Sequence, residues 1–364
     1  TTAIEELDLH ACRDGDDWRF RGVYPHGKLN ARCRFVIDAS GPTSPLVPLL
    51  GLDDETDRLR TQSHALFAHF HDVLPWEDVL DELEIPRTEY PFCADRAALH
   101  HLLDEGWMWQ LRFADGLLSA GFVLDGIPAN RGDQSADAIW RTLLDRYPSI
   151  ARQFANARLA ASTPRLTQIG RLQRCLSAAA GDNWALLPFT CGFVDPLHST
   201  GIAHTLSAIE RLMPALLGEV DRCGTLAEYG RDIPEEIRWV DQLVALCQQT
   251  RRVPRLFNLA TMVYFAAATT YEQERLTGES FPRFLACGDA TRSIAREIES
   301  IASRSLQQLS NGSESRSPDD GDGDNILNLA EQEIAATLAP INHVGLCDPL
   351  ARNMYRQTEA DKMS

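Results

Sequence analysis

Short runs of alternating apolar and polar residues occupy the first part of the chain, up to about residue 40. Turn-forming residues interrupt them at 13–17 and 26–27, and positions 33–39 are rich in β-branched and aromatic side chains. Alternation with a period of two places every second side chain on the same face of a strand. The pattern predicts two or three β-strands in this region.

A second group of strands is predicted further along. Residues 63–70 and 106–124 alternate like strands, whereas 76–84 and 95–103 have the apolar spacing of helices or helical turns. One strand face within 106–124 carries four apolar residues spaced by two: Trp107, Trp109, Leu111 and Phe113. A sheet with one aromatic face, crossed by short helices, is therefore expected.

The remainder of the chain is predicted to be mainly helical. Residues 136–147 and 150–157 have helical periodicity, and 166–176 and 184–187 read as strands. After Gly201, an amphipathic helix with Pro214 as a kink is indicated by apolar residues at helical spacing: Ile202, Leu206, Ile209, Met213 and Leu217. Three more helical stretches follow at 233–275, 290–309 and 326–338, and the acidic segment 311–324 is expected to be a disordered loop.

Composition narrows the class of protein. The chain has 364 residues, 44% of them hydrophobic, and a net charge of −17, which argues against nucleic acid as a partner. Nine cysteines without a CxxC pair favour reduced thiols and a cytoplasmic location. No apolar run reaches the roughly 18 residues of a membrane-spanning helix, so no membrane partner is expected. Only Lys28 and Lys362 are lysines.

Residues 34–41, with the sequence RFVIDASG, form an apolar strand that ends in an acidic residue and a small turn. Such a turn allows the backbone to approach a dinucleotide at the carboxyl edge of a parallel sheet. The segment resembles the motif that closes the flavin-binding sheet in aromatic hydroxylases, geranylgeranyl reductases and flavin-dependent halogenases. By this resemblance, Asp38, Ser40 and Gly41 are predicted to contact the cofactor.

Residues 192–202 read GFVDPLHSTGI and are similar to the pattern GFVDPLxSTGI of the tryptophan halogenase-like family. A proline breaks the chain, closely spaced amides follow, and a helix then begins with its positive end towards the turn. The resemblance implies flavin contacts from seven residues of this segment: Gly192, Asp195, Pro196, Ser199, Thr200, Gly201 and Ile202. The alternative is an ordinary helix start capped by Ser199 or Thr200.

Two further features concern the substrate. His198 occupies the free position of the turn motif, where it is a candidate catalytic residue that orients substrate or transfers protons; the alternative is a solvent-exposed turn histidine. Residues 106–112, GWMWQLR, are similar to the family segment GWxWxIP, with Arg112 in place of proline. Trp107 and Trp109 are therefore predicted to bind substrate, as the wall opposite the turn in one cavity, although paired indoles also serve as core residues.

The resemblance implies an α/β (α+β) fold, namely an FAD/NAD(P)-binding three-layer sandwich of aromatic-hydroxylase type. An antiparallel substrate sheet and a helical C-terminal region complete it. Residues 1–60 and 165–225 would form a partial FAD-binding domain, 61–164 the substrate-binding domain and 226–364 the helical region. The implied function is FAD-dependent oxidation, as a monooxygenase or halogenase-like enzyme, of an aromatic or other planar organic small molecule. A flavin reductase or NAD(P)H would supply electrons.

Three departures limit this function. The GxGxxG fingerprint is absent and is expected upstream of Thr1, and residues 188–190 (PFT) replace the Gly-Asp-Ala found in related flavoproteins. Neither Lys28 nor Lys362 lies in a motif that matches the active-site lysine of halogenases. The alternative is a catalytically inactive, halogenase-like binding protein without a complete FAD site.

Other catalytic or metal-binding constellations are not supported. The histidine pairs at 69/71 and 100/101 have no acidic or cysteine partner at a recognised metal-ligand spacing, so no metal site is expected. The chain also lacks a GxSxG elbow and a P-loop, which removes the basis for a hydrolase or a nucleotidase.

The missing fingerprint leads to a first testable prediction. We expect the 364-residue chain to purify with little FAD, and a form extended at its start to purify yellow, because the adenosine half of the cofactor lacks its usual contacts. Flavin absorbance per mole of protein measures the difference. Stoichiometric flavin in the shorter form would contradict the prediction.

Overall fold

The computed structural model describes residues 6–11, 17–24, 27–86, 92–127, 135–278, 281–313 and 322–348. The first part of the chain forms three strands that pair in sequence order as an antiparallel sheet: β1 (Glu6–Ala11), β2 (Trp18–Tyr24) and β3 (Gly27–Cys33). β4 (Val36–Asp38) follows. The prediction of strands here is confirmed, while most of the two predicted turns lies outside the described residues.

A larger antiparallel sheet occupies the middle of the chain. Its six strands are β5 (Ser63–His71), β6 (Leu99–Leu103), β7 (Gly106–Arg112), β8 (Leu118–Asp125), β9 (Arg158–Leu159) and β10 (Thr167–Arg171). The order is β10-β5-β8-β7-β6, and β9 pairs with the end of β5. Four α-helices accompany this region: α1 (Val47–Leu50), α2 (Trp76–Glu82), α3 (Ala136–Arg146) and α4 (Pro148–Phe154).

One element of this region was predicted wrongly. Residues 95–103 have helical apolar spacing, yet only a short 3-10 turn, Ala94–Arg96, forms, and Leu99–Leu103 is the edge strand β6. Leu102 packs against one core and Leu103 against the other, so the segment alternates between two faces. Pairing with β7 therefore decides the conformation, which local spacing alone cannot do.

The two faces of the antiparallel sheet contact different cores. Trp107 belongs to the large core that extends from Trp18 to Ile341, and Trp109 packs against it. Met108, on the opposite face of β7, belongs to a separate core formed with α3 and α4. The alternation predicted for Trp107 and Trp109 against Met108 is confirmed, whereas Leu111 is exposed and Phe113 lies exposed beyond the end of β7.

The short strands that follow bring distant segments together. They are β11 (Arg174–Cys175), β12 (Ala180–Gly181), β13 (Trp184–Leu186) and β14 (Gly192–Phe193), with the one-turn helix α5 (Pro188–Cys191) before the last. β13 pairs with β12 on one side and runs parallel to β4 on the other, and β11 pairs with β14. The parallel pair places the ends of β4 and β13 at the same edge of the sheet.

The C-terminal region consists of long helices, as predicted. They are α6 (Gly201–Leu217), α7 (Arg222–Thr250), α8 (Pro254–Thr277), α9 (Asp289–Ser313) and α10 (Asp322–Leu338). The loop predicted at 311–324 is shorter than expected, because its first three residues end α9 and its last three begin α10. Residues 314–321 lie outside the described part of the chain.

α6 orients its two faces unusually. The apolar positions that predict the helix are exposed, from 78% for Ile202 and 57% for Leu206 to 65% for Leu217. Besides Leu212, the inner face contains small and polar residues, among them His204 and Arg211. The prediction of the helix and of Pro214 within it is confirmed, but its apolar stripe does not build the core.

A buried carboxylate explains the polar inner face of α6. Glu236 on α7 is fully buried, and its two oxygens accept hydrogen bonds from both terminal nitrogens of Arg211 at 2.8 Å and from His204 Nε2 at 2.8 Å. The backbone N–H of Phe284 donates a fourth bond at 2.9 Å. Burial alone would raise the pKa of Glu236, but the bond from His204 and the charge of Arg211 outweigh it and lower the pKa to about 2.

This network gives a prediction for stability. Glu236→Gln leaves the Arg211 guanidinium buried without a carboxylate, so we expect the free energy of unfolding at neutral pH to fall by about 3 to 5 kcal/mol. Because the folded pKa is depressed, the wild-type protein loses this contribution as the pH falls from 4.5, the unperturbed value, towards about 2. The variant should lack this component of the acid dependence in urea unfolding.

Glu228→Gln is the matched control, because Glu228 lies on the same helix but is exposed. It should change the free energy of unfolding by no more than about 0.5 kcal/mol. Similar losses in both variants, or an unchanged acid dependence in Glu236→Gln, would show that the buried network is not a major source of stability.

Candidate functional site

The motif at 192–202 forms a strand, a tight turn and the start of α6. The backbone N–H of Ser199 donates to the carbonyl of Pro196 at 2.9 Å, and Ser199 has a positive φ of 51°. Thr200 is the N-cap residue of α6, but its side chain makes no capping hydrogen bond. The structure thus differs from an ordinary capped start, and the first amides of α6 are available to a ligand.

A shallow, open cleft lies beside this turn. Phe189 and Phe193 line it together with Gly201 and His204. A Cβ atom added at Gly201 would meet nothing within 4 Å, so the helix start borders open space. The cleft combines two aromatic side chains, packed edge to face, with backbone donors, which suits an electron-rich ring or an anion.

Asp38 lies at the end of β4, but its carboxylate is engaged within its own turn. One oxygen accepts from the backbone N–H of Ser40 at 2.8 Å and from its hydroxyl, and the other accepts from the Ser44 hydroxyl at 2.6 Å. Gly41 has φ of 71°, and its N–H donates to Thr190 Oγ1 at 3.0 Å. Asp38 therefore shapes the turn and joins it to α5, while Ser40 remains exposed.

Trp107 contacts the turn from inside the protein. Its side chain is 2% exposed, its ring lies 4.7 Å from that of His100, and Trp109 lies 6.1 Å away between centroids. The Trp107 N–H faces Asp195 and lowers the pKa of that carboxyl, although it makes no full hydrogen bond. Neither indole is among the residues that line the cleft beside Gly201, so their role as a substrate wall stays a prediction.

His198 is stacked rather than exposed on the surface. Its ring lies parallel to that of Tyr264 at 4.1 Å, and its Nε2 is 3.6 Å from Cys247 Sγ. Burial, with a smaller contribution from His100, lowers the pKa of His198 to about 3. The side chain is neutral at physiological pH, so it is suited to orienting a substrate by hydrogen bonding rather than to donating a proton as an imidazolium.

The fold brings most of the predicted residues into one region. The turn, Trp107 and His198 meet near Asp195 and His100, whereas Asp38 and Gly41 approach from the other side through α5. Sequence analysis missed Tyr264, which had no motif to mark it in its helical stretch. It noticed His100 only as part of a possible metal pair, and no group of three metal-ligating side chains occurs among the described residues.

Two further features concern the cysteines and the long helices. The cysteines that the structure describes are all free thiols. Within the described part of the chain, no helix combines the length and apolar character needed to span a membrane.

Comparison with known proteins gives relatives among halogenases. The chain is 32% identical over 228 residues to tetracycline 7-halogenase of Kitasatospora aureofaciens. The aligned segment covers 58% of this chain and 40% of the relative. It is also 32% identical over 190 residues to monodechloroaminopyrrolnitrin halogenase PrnC of Pseudomonas fluorescens, covering 50% of this chain and 32% of that protein. The chain thus spans less than half the length of these curated relatives.

A solved structure supports the fold. The halogenase PltM, in complex with phloroglucinol and FAD, superposes with a TM-score of 0.74 at 24% identity, covering 95% of this chain and 70% of that one. The expected α/β fold of FAD-binding enzymes is confirmed, and FAD, the cofactor implied by the resemblance, is present in that neighbour. The model of the tryptophan halogenase family matches residues 25–257, more than half of the chain, and the chain therefore belongs to this family.

Proposed function

We propose that this chain provides the flavin-ring and substrate side of an FAD-dependent, halogenase-like oxidoreductase that acts on an aromatic or other planar organic molecule. The main support is the uncapped start of α6, with open space at Gly201, beside the cleft lined by Phe189 and Phe193. Unsatisfied amides at a helix start are suited to the electron-rich edge of a flavin ring.

The residues that would hold FAD come from two turns. Amides at Ser199, Thr200 and Gly201 supply donors, and Gly192, Pro196 and Ile202 set the course of the chain around them. Asp195 is inward-facing and 3% exposed, so its role is to shape the turn rather than to touch the cofactor. Asp38 acts in the same way on its own turn, which leaves the exposed Ser40 and the backbone near Gly41 for cofactor contact. The residues present therefore fit the ring side of the cofactor.

The substrate would bind on the aromatic face of the antiparallel sheet. Trp109 is half-buried and stands between Trp107 and Phe67, with ring centroids about 6 Å from each. Such a surface favours a planar, electron-rich ring through apolar burial and stacking. Neutral His198, held by its stack on Tyr264, is positioned to hydrogen-bond a substrate hydroxyl.

The redox chemistry belongs to the cofactor. When bound and reduced, FAD would supply the two electrons with which dioxygen oxidises an aromatic C–H bond to a phenol, with water as the other product. A flavin reductase or NAD(P)H would provide those electrons. The chain would contribute the relative positions of the flavin and substrate rings.

An activity assay tests this proposal. We expect the chain, given excess FAD, a flavin reductase, NADH, dioxygen and bromide, to convert phloroglucinol to a product heavier by one oxygen atom. No halogenated product is expected, because neither Lys28 nor Lys362 lies in a matching motif. Mass spectrometry distinguishes the products, with reactions lacking the chain or NADH as controls.

Each result of this assay has a clear meaning. A brominated product would overturn the lysine argument but retain flavin-dependent oxidation. FAD binding without turnover of phloroglucinol or other phenols would contradict the proposed enzyme and favour the inactive binding protein.

A second prediction concerns the helix start itself. Gly201→Val should weaken FAD binding at least about tenfold, because the new side chain occupies the open space that the ring needs. It should cost less than about 1 kcal/mol of stability, since the added Cβ meets no protein atom within 4 Å. Flavin fluorescence and urea unfolding measure the two effects.

Ala227→Val serves as the control, because Ala227 is an exposed helical residue on α7 and the substitution also introduces a β-branched side chain. It should leave FAD affinity unchanged. Unaltered affinity in Gly201→Val, or a loss of stability that accounts for the loss of binding, would remove Gly201 from the proposed flavin contact.

A further inference from the structure

Asp195 joins three elements of the site. Its side chain is 3% exposed, and one carboxylate oxygen accepts from the backbone N–H of Leu197 within the turn at 2.9 Å. The other oxygen lies 3.5 Å from the hydroxyl of Ser63, the first residue of β5. The N–H of Trp107, from β7, faces the same carboxylate. The turn, the sheet and the indole wall therefore meet at one acidic group.

Gln173 holds the serine in this arrangement. Its side-chain nitrogen donates to Ser63 Oγ at 2.8 Å and to the carbonyl of Val194 at 2.9 Å, while its oxygen accepts from the backbone N–H of Ser63 at 2.9 Å. Because Ser63 Oγ already accepts from Gln173, its hydrogen is directed towards Asp195. Ser63 and Gln173 are buried, so the arrangement is shielded from water.

The hydrogen bonds that Asp195 can make depend on whether its carboxyl group is protonated. As a carboxylate, Asp195 accepts from Leu197 and Ser63 and attracts the Trp107 N–H. As a carboxylic acid, it must donate one hydrogen, and Ser63 Oγ is the acceptor among these neighbours. The Ser63 hydrogen then loses its acceptor, and the attraction on the Trp107 N–H weakens.

We propose that Asp195 is a proton-dependent positioning residue, whose ionisation holds the turn 195–200 against Ser63 and the Trp107 indole and whose protonation loosens that contact. Its consequence for catalysis rests on the proposed function, because it moves the flavin-side turn relative to the substrate wall. The contact itself is a property of the chain without any ligand.

The electrostatic surroundings place this change near neutrality. Burial raises the pKa of Asp195 to about 7, against the lowering by the bonds from Leu197 and Ser63 and by the nearby Trp107 N–H, and the charge of Asp125 on β8 raises it further. Cys247 on α7 also faces Asp195, and burial raises the pKa of that thiol to about 12, so it remains neutral over the same range. His204, which lines the same cleft, is bound to Glu236.

Indole NMR of the ligand-free chain tests the proposal. The Trp107 signal, assigned by its absence in Trp107→Phe, should shift with pH with a midpoint near 7, and this titration should vanish in Asp195→Asn. Ser63→Ala should retain the titration with a higher midpoint, because the serine bond lowers the pKa. Asp125→Asn, the matched control, should retain it with a lower midpoint, because the charge that raises the pKa is removed.

The results separate this proposal from the proposed function. A Trp107 signal that does not respond to pH, or a titration that persists in Asp195→Asn, would overturn the role of Asp195 whether or not the chain is an enzyme. If Asp195→Asn is unfolded, the opposite midpoint shifts in Ser63→Ala and Asp125→Asn decide the question. In active preparations, the inflection near neutral pH in kcat/KM should also follow these midpoints; absent activity leaves the NMR result intact.

Discussion

The site depends first on the buried carboxylate of Glu236. It fixes α6 to α7 through Arg211 and His204 and also binds the backbone at Phe284, so the direction of α6 is set from within the protein. A buried ionised group is tolerated only when its hydrogen-bonding capacity is filled, and here four bonds fill it. Because α6 is held this way, its uncapped amino end points steadily at the cleft. The direction of α6, and with it the turn 195–200 that precedes the helix, thus depends on bonds that His204 and Arg211 make further along α6.

The pKa values of two buried acids on neighbouring elements are shifted in opposite directions. Arg211 and His204 lower the pKa of Glu236, so it stays ionised and serves as a permanent anchor. Asp195 is surrounded by neutral donors, and its pKa rises to about 7 because these do not offset its burial. The difference lies in the partners, since both groups are almost fully buried. Glu236 stays ionised and holds α6 in place, whereas Asp195 makes a contact that depends on its protonation state.

In α6, several large apolar residues lie on the exposed face and polar residues lie on the inner face. Ile202, Leu206 and Leu217 are more than half exposed, whereas the inner face is occupied by the bonds of Arg211 and His204 to Glu236. Hydrophobic periodicity identifies a helix, because the spacing reflects the helical repeat. It does not state which neighbour each face meets. For α6, ion pairing across to α7 determines the inner face, and the amphipathic pattern alone would have placed it the other way round.

The sequence by itself determined the family, most of the strands and helices outside residues 95–103, the alternation of Trp107 and Met108 across β7, and the turn motif around Gly201. These depend on local periodicity and on contiguous residues, which are visible in the chain. Only the tertiary structure decided that Leu99–Leu103 is an edge strand, that Asp38 is engaged by Ser40 and Ser44, and that His198 stacks on Tyr264. Each of these depends on a partner's position in space, and a carboxylate or imidazole reveals its role only when its neighbours and burial are known. The link between Asp195 and Trp107 spans 88 positions of sequence, and folding alone brings that pair together.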